Sequence, residues 1–401
     1  MNITFVDLPD NRSKLLPLTF TRPVSHLRIG ILKIYEKWLL RLGGEPAFIT
    51  EPFLVPKYSD LGADRSLLIN GSICPDDALI KEVMELKAGQ SLMHQGTFIA
   101  ARTTDSAEYG EQFWAGMNAV EYEKEPLIIR RPWDIFLHNK NQIVADFTQV
   151  THGLPQAEIS DPNVVMYGRN NIFIAESAKI KACIIDAESG PVYIGPETQI
   201  HPGAVIQGPF ALCEGSHVNM GAKMKSDTTI GPYCKVGGEI SNSVLQGYTN
   251  KGHEGYLGNA VLGEWCNLGA DTNNSNLKNN YTAVKAWDYE TSAFINTELQ
   301  FCGLIMGDHS KCGINTMFNT GTVVGVGANI FGAGFPRNFI PSFAWGGTAG
   351  FATFGLRRAL ETAEIVMKRR SVILDDIEKA MLSHVFESSK KYRVWEKNKQ
   401  S

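Results

Sequence analysis

The chain has 401 residues, with 38 Lys+Arg against 42 Asp+Glu and a formal net charge of −4. This balance excludes the basic footprint of a protein whose main partner is nucleic acid, and 43% hydrophobic with 20% charged residues excludes a disordered chain. The length exceeds the roughly 250–300 residues that one core organises, which predicts at least two domains.

The opening MNITFVDLPDNRSK lacks a basic start followed by an apolar core, and no run of 18 uncharged apolar residues follows, which predicts a cytoplasmic protein with no membrane partner. The seven cysteines, Cys74, Cys183, Cys213, Cys234, Cys266, Cys302 and Cys312, contain no CxxC pair and read as small core residues. In chain order, residues 1–155 alternate between strand and helix. NITFVDL, PAFIT and SLLING read as strands, IGILKIYEKWLLRLG and DDALIKEVMEL as helices, and PLIIRRPWDIFLHNKNQIVADF closes the set. This alternation predicts an α/β domain with a mostly parallel sheet. DFTQVTHGLPQAEISDP reads as the linker.

A six-residue repeat occupies 156–350. Ile194, Ile200, Ile206, Leu212, Val218, Met224, Ile230 and Val236 keep one register, Ile174 and Ile180 precede them, and Met306, Cys312, Phe318, Val324 and Ile330 resume it after the fragment Leu262 and Leu268. Neither a helix nor an ordinary strand has this period. A solenoid of three flat faces, each about six residues long, does, so the spacing predicts a left-handed parallel β-helix. Glycine after the aliphatic, as in Ile194-Gly195, Ile230-Gly231, Val236-Gly237 and Leu268-Gly269, fits tight corners of the chain, some of them at positive φ. The register breaks between Ser243 and Tyr256 and again from Asn273 to Phe301, which predicts two loops projecting from the prism, where chemistry concentrates. Prisms of this kind commonly assemble as trimers with sites in the clefts. From 351 to 401 Leu374, Ile377, Met381 and Val385 recur at helical spacing, which predicts two amphipathic helices.

His253 stands on the Gly-flanked stretch NKGHEGYLGNA. An exposed imidazole there can take a proton at neutral pH; equally, it can be a surface histidine bonding a neighbouring coil. The region from Gly238 to Leu277 resembles the acetyltransferase half of the GlmU-like family, bifunctional N-acetylglucosamine-1-phosphate uridyltransferases and glucosamine-1-phosphate N-acetyltransferases. In that family an H-x-x-Y-L-G-D-A segment supplies the catalytic histidine and a sugar-phosphate tyrosine, and an N-I-G-A-G-T-x-x-x-N-Y segment contacts sugar and acetyl-CoA. The resemblance places His253 and Tyr256, within HEGYLGNA, on the first pair. It places Asn267 and Asn276, within NLGADTNNSNL, on the two asparagines, and Lys223 or Lys225, within GAKMKSD, on the basic residues that hold the sugar phosphate. It implies acetyl-CoA as co-substrate, a sugar phosphate as acceptor and a homotrimer. The sequence departs from the pattern at Leu277, where the family has a second tyrosine, and at Ser241, where it has a basic residue. Asn315, Gly332 and Ala333 lie in the stretch where the family binds acetyl-CoA, without a diagnostic match.

The N-terminal segments DLPDNRSKLLPLTFTRPVSHLRIGILKIYEKW and RRPWDIF resemble a short nucleotidyltransferase-like domain of a divergent branch of these proteins. Ordinary sugar nucleotidyltransferases cradle the nucleoside triphosphate in a G-x-G-T-R loop. This chain lacks it, and Arg12, Lys14, Arg22, Arg28 and Lys37 stand in its place, as side-chain phosphate ligands or as decoration of an α/β surface. Where the family has a metal-binding Asp, this chain offers Ser72, with Asp76 and Asp77 downstream; Asp7, Asp76 or Asp134 could supply a carboxylate for Mg²⁺. The resemblance thus implies N-acetylation of an amino-sugar 1-phosphate on the solenoid, with UTP-dependent uridylyl transfer as the N-terminal activity. A non-catalytic nucleotidyltransferase-like and solenoid binding protein is the alternative, favoured for the N-terminal half by its missing motifs. A metal enzyme of the carbonic anhydrase type on this prism would need converging histidines, and His201, His217, His253 and His309 are not spaced for that.

Overall fold

A computed structural model describes residues 2–58, 66–103 and 113–397. The chain divides into two compact units. The first holds Met1–Leu15, Arg22–Leu27 and Leu32–Arg131; the second holds Leu16–Thr21, Arg28–Ile31 and Pro132–Ser401.

The first unit is built on a six-stranded sheet. Asn2–Val6 lies between Glu45–Ile49 and Leu67–Asn70, parallel to both. Thr97–Arg102 then runs antiparallel to Leu67–Asn70 and to Gln90–His94, and Asn118–Glu121 pairs parallel at the far side. The sheet is therefore mixed where the alternation predicts a mostly parallel one. The reason is local: Gln95 and Gly96 both have positive φ, +47° and +78°, and make a two-residue hairpin turn that returns the chain antiparallel. The predicted first helix begins at Ile34 and runs to Leu42, ending at Gly43 with φ +67°. Trp38 is fully buried and its indole N–H donates to the Ile73 carbonyl at 2.8 Å, which anchors this helix on the unit.

In the second unit, three sheets of six, nine and ten strands stack coil upon coil, parallel throughout except that Gly350–Thr353 closes the ten-stranded sheet antiparallel to Ala344–Gly347. The predicted register is the register of the interior. Every aliphatic of the long run from Ile194 to Val236 is buried, as are Leu262, Leu268, Met306, Phe318, Val324 and Ile330. Fully burying such a side chain contributes about 1.5–3 kcal/mol, and the contribution repeats in each layer.

The glycines that follow the aliphatics serve a different purpose from the predicted one. Gly195, Gly231, Gly237 and Gly269 lack positive φ, but a Cβ on Gly231 would lie 2.3 Å from the Gln246 carbonyl oxygen, and one on Gly237 would lie 2.4 Å from the Gly252 oxygen. These glycines let the next coil come close. The left-handed corners fall elsewhere and mostly carry side chains. One corner has Glu197, Gly215, Tyr233, Tyr248, Trp265, His309, Gly327 and Phe343 in succession, all at positive φ. Tyr233, Tyr248 and Trp265 stack there at 5.0 and 4.1 Å between ring centroids.

Two further expectations are corrected. The stretch from Ser243 to Tyr256 does not project. Val244–Gly247 pairs with Thr228–Ile230 on one side and Val261–Glu264 on the other, so it is a coil made short: Ile230 meets Leu245 after 15 residues, where Leu212 meets Ile230 after 18. The expected linker also differs, since its first residues, Asp146–Thr151, are the end of the Pro132–Thr151 helix. The second excursion is real. Leu277 bridges Phe301, and between them Lys285–Asp288 and Ala293–Asn296 form a hairpin.

Of the two early segments of this unit, Leu16–Thr21 is tied by the Thr21 hydroxyl, which donates to Asp308 Oδ2 at 2.7 Å, and Arg28–Ile31 is held by backbone groups. Gly30 N–H donates to Asn139 Oδ1 at 2.7 Å and its carbonyl accepts from Thr229 Oγ1 at 2.9 Å, while Arg28 N–H donates to Gln246 Oε1 at 2.6 Å. At the C-terminal end the two predicted helices are Leu356–Lys368 and Asp376–Ser388, the second capped by Asp375, which accepts from Glu378 N–H at 2.8 Å. Leu374, Met381 and Val385 are buried, whereas Ile377 is exposed. Among the described residues no helix is long and apolar enough to cross a membrane.

Candidate functional site

The solenoid site grows from the short coil. Asn250–Lys251 and Tyr256–Gly258 are strands of two different sheets, and His253 is on the tight bend that joins them, exposed. The bend is pinned from both sides: Asn219 Nδ2, two coils earlier, donates to the Gly252 carbonyl at 2.7 Å, and a Cβ on Gly255, φ +113°, would lie 2.2 Å from the Thr272 carbonyl oxygen of the following coil. His253 is therefore carried by a built turn and not by a projecting loop.

Tyr256 lies in the ladder Lys223, Glu239, Tyr256 along one face of the six-stranded sheet. Lys225 Nζ is 3.1 Å from Glu239 Oε1. The Tyr256 hydroxyl accepts from Asn276 Nδ2 at 3.0 Å, and the same amide donates to Asn259 Oδ1 at 2.7 Å. Burial pushes the Tyr256 phenol upward, against the smaller opposing effects of Asn276 and Lys225. The phenol is thus neutral at physiological pH and free to donate its proton in a hydrogen bond. Of the predicted residues, Tyr256 and Asn276 are in direct contact here, while Lys223 lies two strands away in the same ladder and Lys225 is paired with the intervening Glu239. Asn267 does not join them: it is exposed on the ten-stranded sheet, between Asn250 and Lys311.

Sequence reasoning missed the group that holds this cluster together. The six-stranded sheet ends at Tyr256–Gly258, and the next coil's Asn273–Asn274 pairs only with Met317–Phe318. Across the gap Asn273 Oδ1 accepts from Tyr256 N–H at 2.7 Å. Asn274 accepts from Gly258 N–H at 2.8 Å and donates to the Gly258 carbonyl at 2.9 Å. Two side-chain amides thus replace a backbone ladder. The signal was present: Asn274 is six residues after Leu268, at an interior position of the repeat.

A larger cleft of about 1830 Å³ lies beside the excursion's hairpin. Lys278, Lys285, Arg337 and Lys391 line it together with Trp287 and Phe339, and no carboxylate is among its described lining residues. Asn315 and Gly332 have positive φ, and neither they nor Ala333 line this cleft. Elsewhere on the solenoid His201 and His217, unexpectedly, approach to 6.3 Å between ring centroids on adjacent coils. Burial and the nearby Lys235 hold the His217 imidazole below its ordinary value, which favours the neutral form.

In the first unit a cleft of about 820 Å³ opens where Asn2–Val6, Glu45–Ile49 and Leu67–Asn70 end, lined by Asp7, Thr50 and Ser72 and walled by the Phe98–Trp114 stack at 4.1 Å. Carboxyl ends of parallel strands are where open α/β sheets bind ligands. Arg12 and Lys14 line this cleft. Arg22, Arg28 and Lys37 are buried and are not among the described residues that line it, although the Arg22 carbonyl accepts from Arg12 Nη1 at 2.9 Å.

The carboxylates do not suit Mg²⁺. Asp7 Oδ2 takes Arg12 Nη1 at 3.0 Å and Thr50 Oγ1 at 2.6 Å, and its Oδ1 takes Val24 N–H at 2.9 Å. Burial is the largest influence on Asp7 and raises its carboxyl. Asp76 caps the Asp77–Glu85 helix through Leu79 N–H, Ser72 Oγ donates to Asn70, and Asp134 belongs to the second unit. Among the described residues no three His, Cys, Asp or Glu side chains are grouped to hold a metal.

A sugar nucleotidyl transferase family model matches residues 3–154. Uncharacterized acetyltransferase YaiX of Escherichia coli is 29% identical over 143 residues, 35% of this chain and 61% of that protein. The Bifunctional protein GlmU of Wigglesworthia glossinidia brevipalpis is 28% identical over 184 residues, 42% of this chain and 33% of that protein. The chain therefore spans less than two thirds of the length of these relatives. An Arabidopsis UDP-N-acetylglucosamine acyltransferase structure covers 52% of this chain and 78% of its own at 14% identity, with a TM-score of 0.28; the fold rests on the strand register above and not on that likeness. The chain thus matches the sugar nucleotidyl transferase family model over residues 3–154, continues as a parallel β-helix of six-residue repeats, and is similar in sequence to the GlmU and YaiX proteins.

Proposed function

We propose that the protein is a transferase of nucleotide-sugar synthesis that moves the acetyl group of acetyl-CoA onto the amine of an amino-sugar 1-phosphate, glucosamine-1-phosphate in the first instance. The observation that carries this reading is the gathering of Tyr256, Asn276 and Asn259 in one hydrogen-bonded cluster, one bend from His253 and on the sheet that also carries Lys223, two strands away.

In this reading the amine nitrogen attacks the thioester carbonyl carbon while His253 takes the amine proton, the tetrahedral intermediate expels the thiolate of CoA, and the imidazolium returns the proton to that sulfur. Tyr256 and Asn276 orient sugar hydroxyls. Lys223 and Lys225 attract the phosphate as point charges, without the bidentate grip of arginine. Asn267 belongs to the acetyl-CoA side, and the cation-lined cleft beside the hairpin suits the phosphates of that co-substrate. Assembly as a homotrimer and uridylyl transfer from UTP in the first unit complete the reading.

The test is thiol release from acetyl-CoA with a panel of amino-sugar phosphates. Glucosamine-1-phosphate should support turnover in the wild type, and His253→Ala should lower kcat at least 100-fold while the protein stays folded. Normal acetylation by the variant refutes the assigned base. Absence of turnover with every acceptor, together with tight binding of UTP or a UDP-sugar, favours the non-catalytic binding protein.

A further inference from the structure

Lys251 occupies a place that the repeat reserves for an aliphatic residue. Down one interior column of the ten-stranded sheet the strands present Ile200, Val218, Val236, Lys251, Leu268, Cys312 and Ile330. Lys251 is 1% exposed. An ammonium group in such a column costs free energy unless its protons find acceptors, and here three do. Nζ donates to the carbonyl of Gly237 at 3.3 Å, to that of His253, and to that of Glu254 at 3.1 Å. Three N–H donors meet three carbonyl acceptors.

A second observation shows that the neighbouring coil is cut to fit this arrangement. Gly238, φ +68°, has no side chain where a Cβ would lie 2.9 Å from Lys251 Nζ, 2.8 Å from the His253 carbonyl oxygen and 2.7 Å from the Gly255 oxygen. Any other residue at 238 would press on the ammonium and on the bend together. A leucine or valine at 251 would continue the apolar column at lower cost. It would leave the His253 and Glu254 carbonyls without this donor.

We propose that Lys251 is a positioning residue: by tying the carbonyls of His253 and Glu254 to Gly237 of the preceding coil, its ammonium sets the bend that carries the His253 imidazole. The proposal deepens the acetyl-transfer reading and rests on His253 acting there. Burial draws the Lys251 ammonium down to about 8, with Glu254 and Asp271 opposing. The role therefore belongs to the protonated form with its full set of donors.

Two measurements on the full chain test this, one of them independent of activity. In protein labelled with [¹³C-ε1]histidine, the His253 signal is identified by its loss in His253→Ala. In Lys251→Met, which keeps the length and apolar bulk of the side chain, the His253 signal should shift by at least 0.1 ppm or broaden, while the signals of the other eight histidines stay in place. In the acetyl-CoA thiol-release assay with glucosamine-1-phosphate, Lys251→Met should lower kcat at least 30-fold and leave KM for acetyl-CoA within twofold. If Lys251→Met fails to fold, Lys251→Gln, which retains two amide protons, takes its place with a smaller change in both readouts. An unmoved His253 signal in a folded variant overturns the positioning role, as does an unchanged kcat in a protein whose His253→Ala form is dead. Full activity of His253→Ala instead refutes the base assignment, and the histidine spectrum then decides the positioning role alone.

Discussion

Asn274 offers the sharpest test of how this solenoid is held where its backbone ladder breaks. Its buried amide accepts from Gly258 N–H at 2.8 Å and donates to the Gly258 carbonyl at 2.9 Å, so Asn274→Ala orphans two backbone groups in the interior. Each orphaned buried group costs about 1–3 kcal/mol, which places the loss for Asn274→Ala at about 2–6 kcal/mol. The informative comparison is Asn274→Leu, which restores the aliphatic expected six residues after Leu268. Leucine regains about 1.5–3 kcal/mol of burial. It leaves the same two groups unpaired, and it crowds Gly303, where even a Cβ would lie 2.2 Å from Asn274 Nδ2. Both variants should therefore unfold at lower urea than the wild type, as followed by tryptophan fluorescence. Hydrogen exchange of the peptide spanning 256–260 should rise at least 30-fold, the equivalent of about 2 kcal/mol. An Asn274→Leu variant as stable as the wild type would refute the reasoning and make the amide bridge incidental.

Gly215→Ala forces a methyl group at φ +63° to within 2.5 Å of the Tyr233 ring; left-handed strain of about 1–2 kcal/mol and a displaced ring should lower the urea midpoint, whereas Gly221→Ala, with open space around it, should show the backbone cost alone. Burial draws Lys311 from 10.5 to about 8. Between these values the unfolded chain holds the proton that the folded chain has lost, so wild-type stability should rise relative to Lys311→Met as pH goes from 8 to 10.5; parallel pH curves for the two proteins would remove that account. In the first unit Arg12→Ala leaves the buried Asp7 carboxylate without its ion pair and should cost about 3–5 kcal/mol, with Arg12→Ala/Asp7→Asn recovering part of the loss in thermal melts. Equal melting of the single and double variants would mean that Asp7 is not an uncompensated charge.

What the sequence determined by itself was periodic. The interior of the solenoid could be read residue by residue from Ile194 to Val236, because each layer must bury one aliphatic per face and the faces have fixed length. The alternation of strand and helix before Thr151 and the amphipathic pair after Gly355 are legible for the same reason: burial on one face imposes a period on the chain.

The tertiary structure decided what has no period. The coil from Ser243 to Tyr256 looked like a projecting loop because three residues fewer per turn and a lysine at 251 erase the register, although its backbone still pairs on both sides. The glycines at 195, 231, 237 and 269 look like corner residues in sequence, but contact with the next coil requires them, and that distance exists only once coils are stacked. Arg12, Arg22, Arg28 and Lys37 read as one basic cluster along the chain, yet all four are buried and Arg12 is bonded to Asp7 and to the Arg22 carbonyl, since a charge's partners are set by neighbours in space. The hydrogen bonds among Tyr256, Asn276 and Asn259 belong to this second class: three polar residues within 21 positions, joined only because the excursion leaves and re-enters the solenoid beside them.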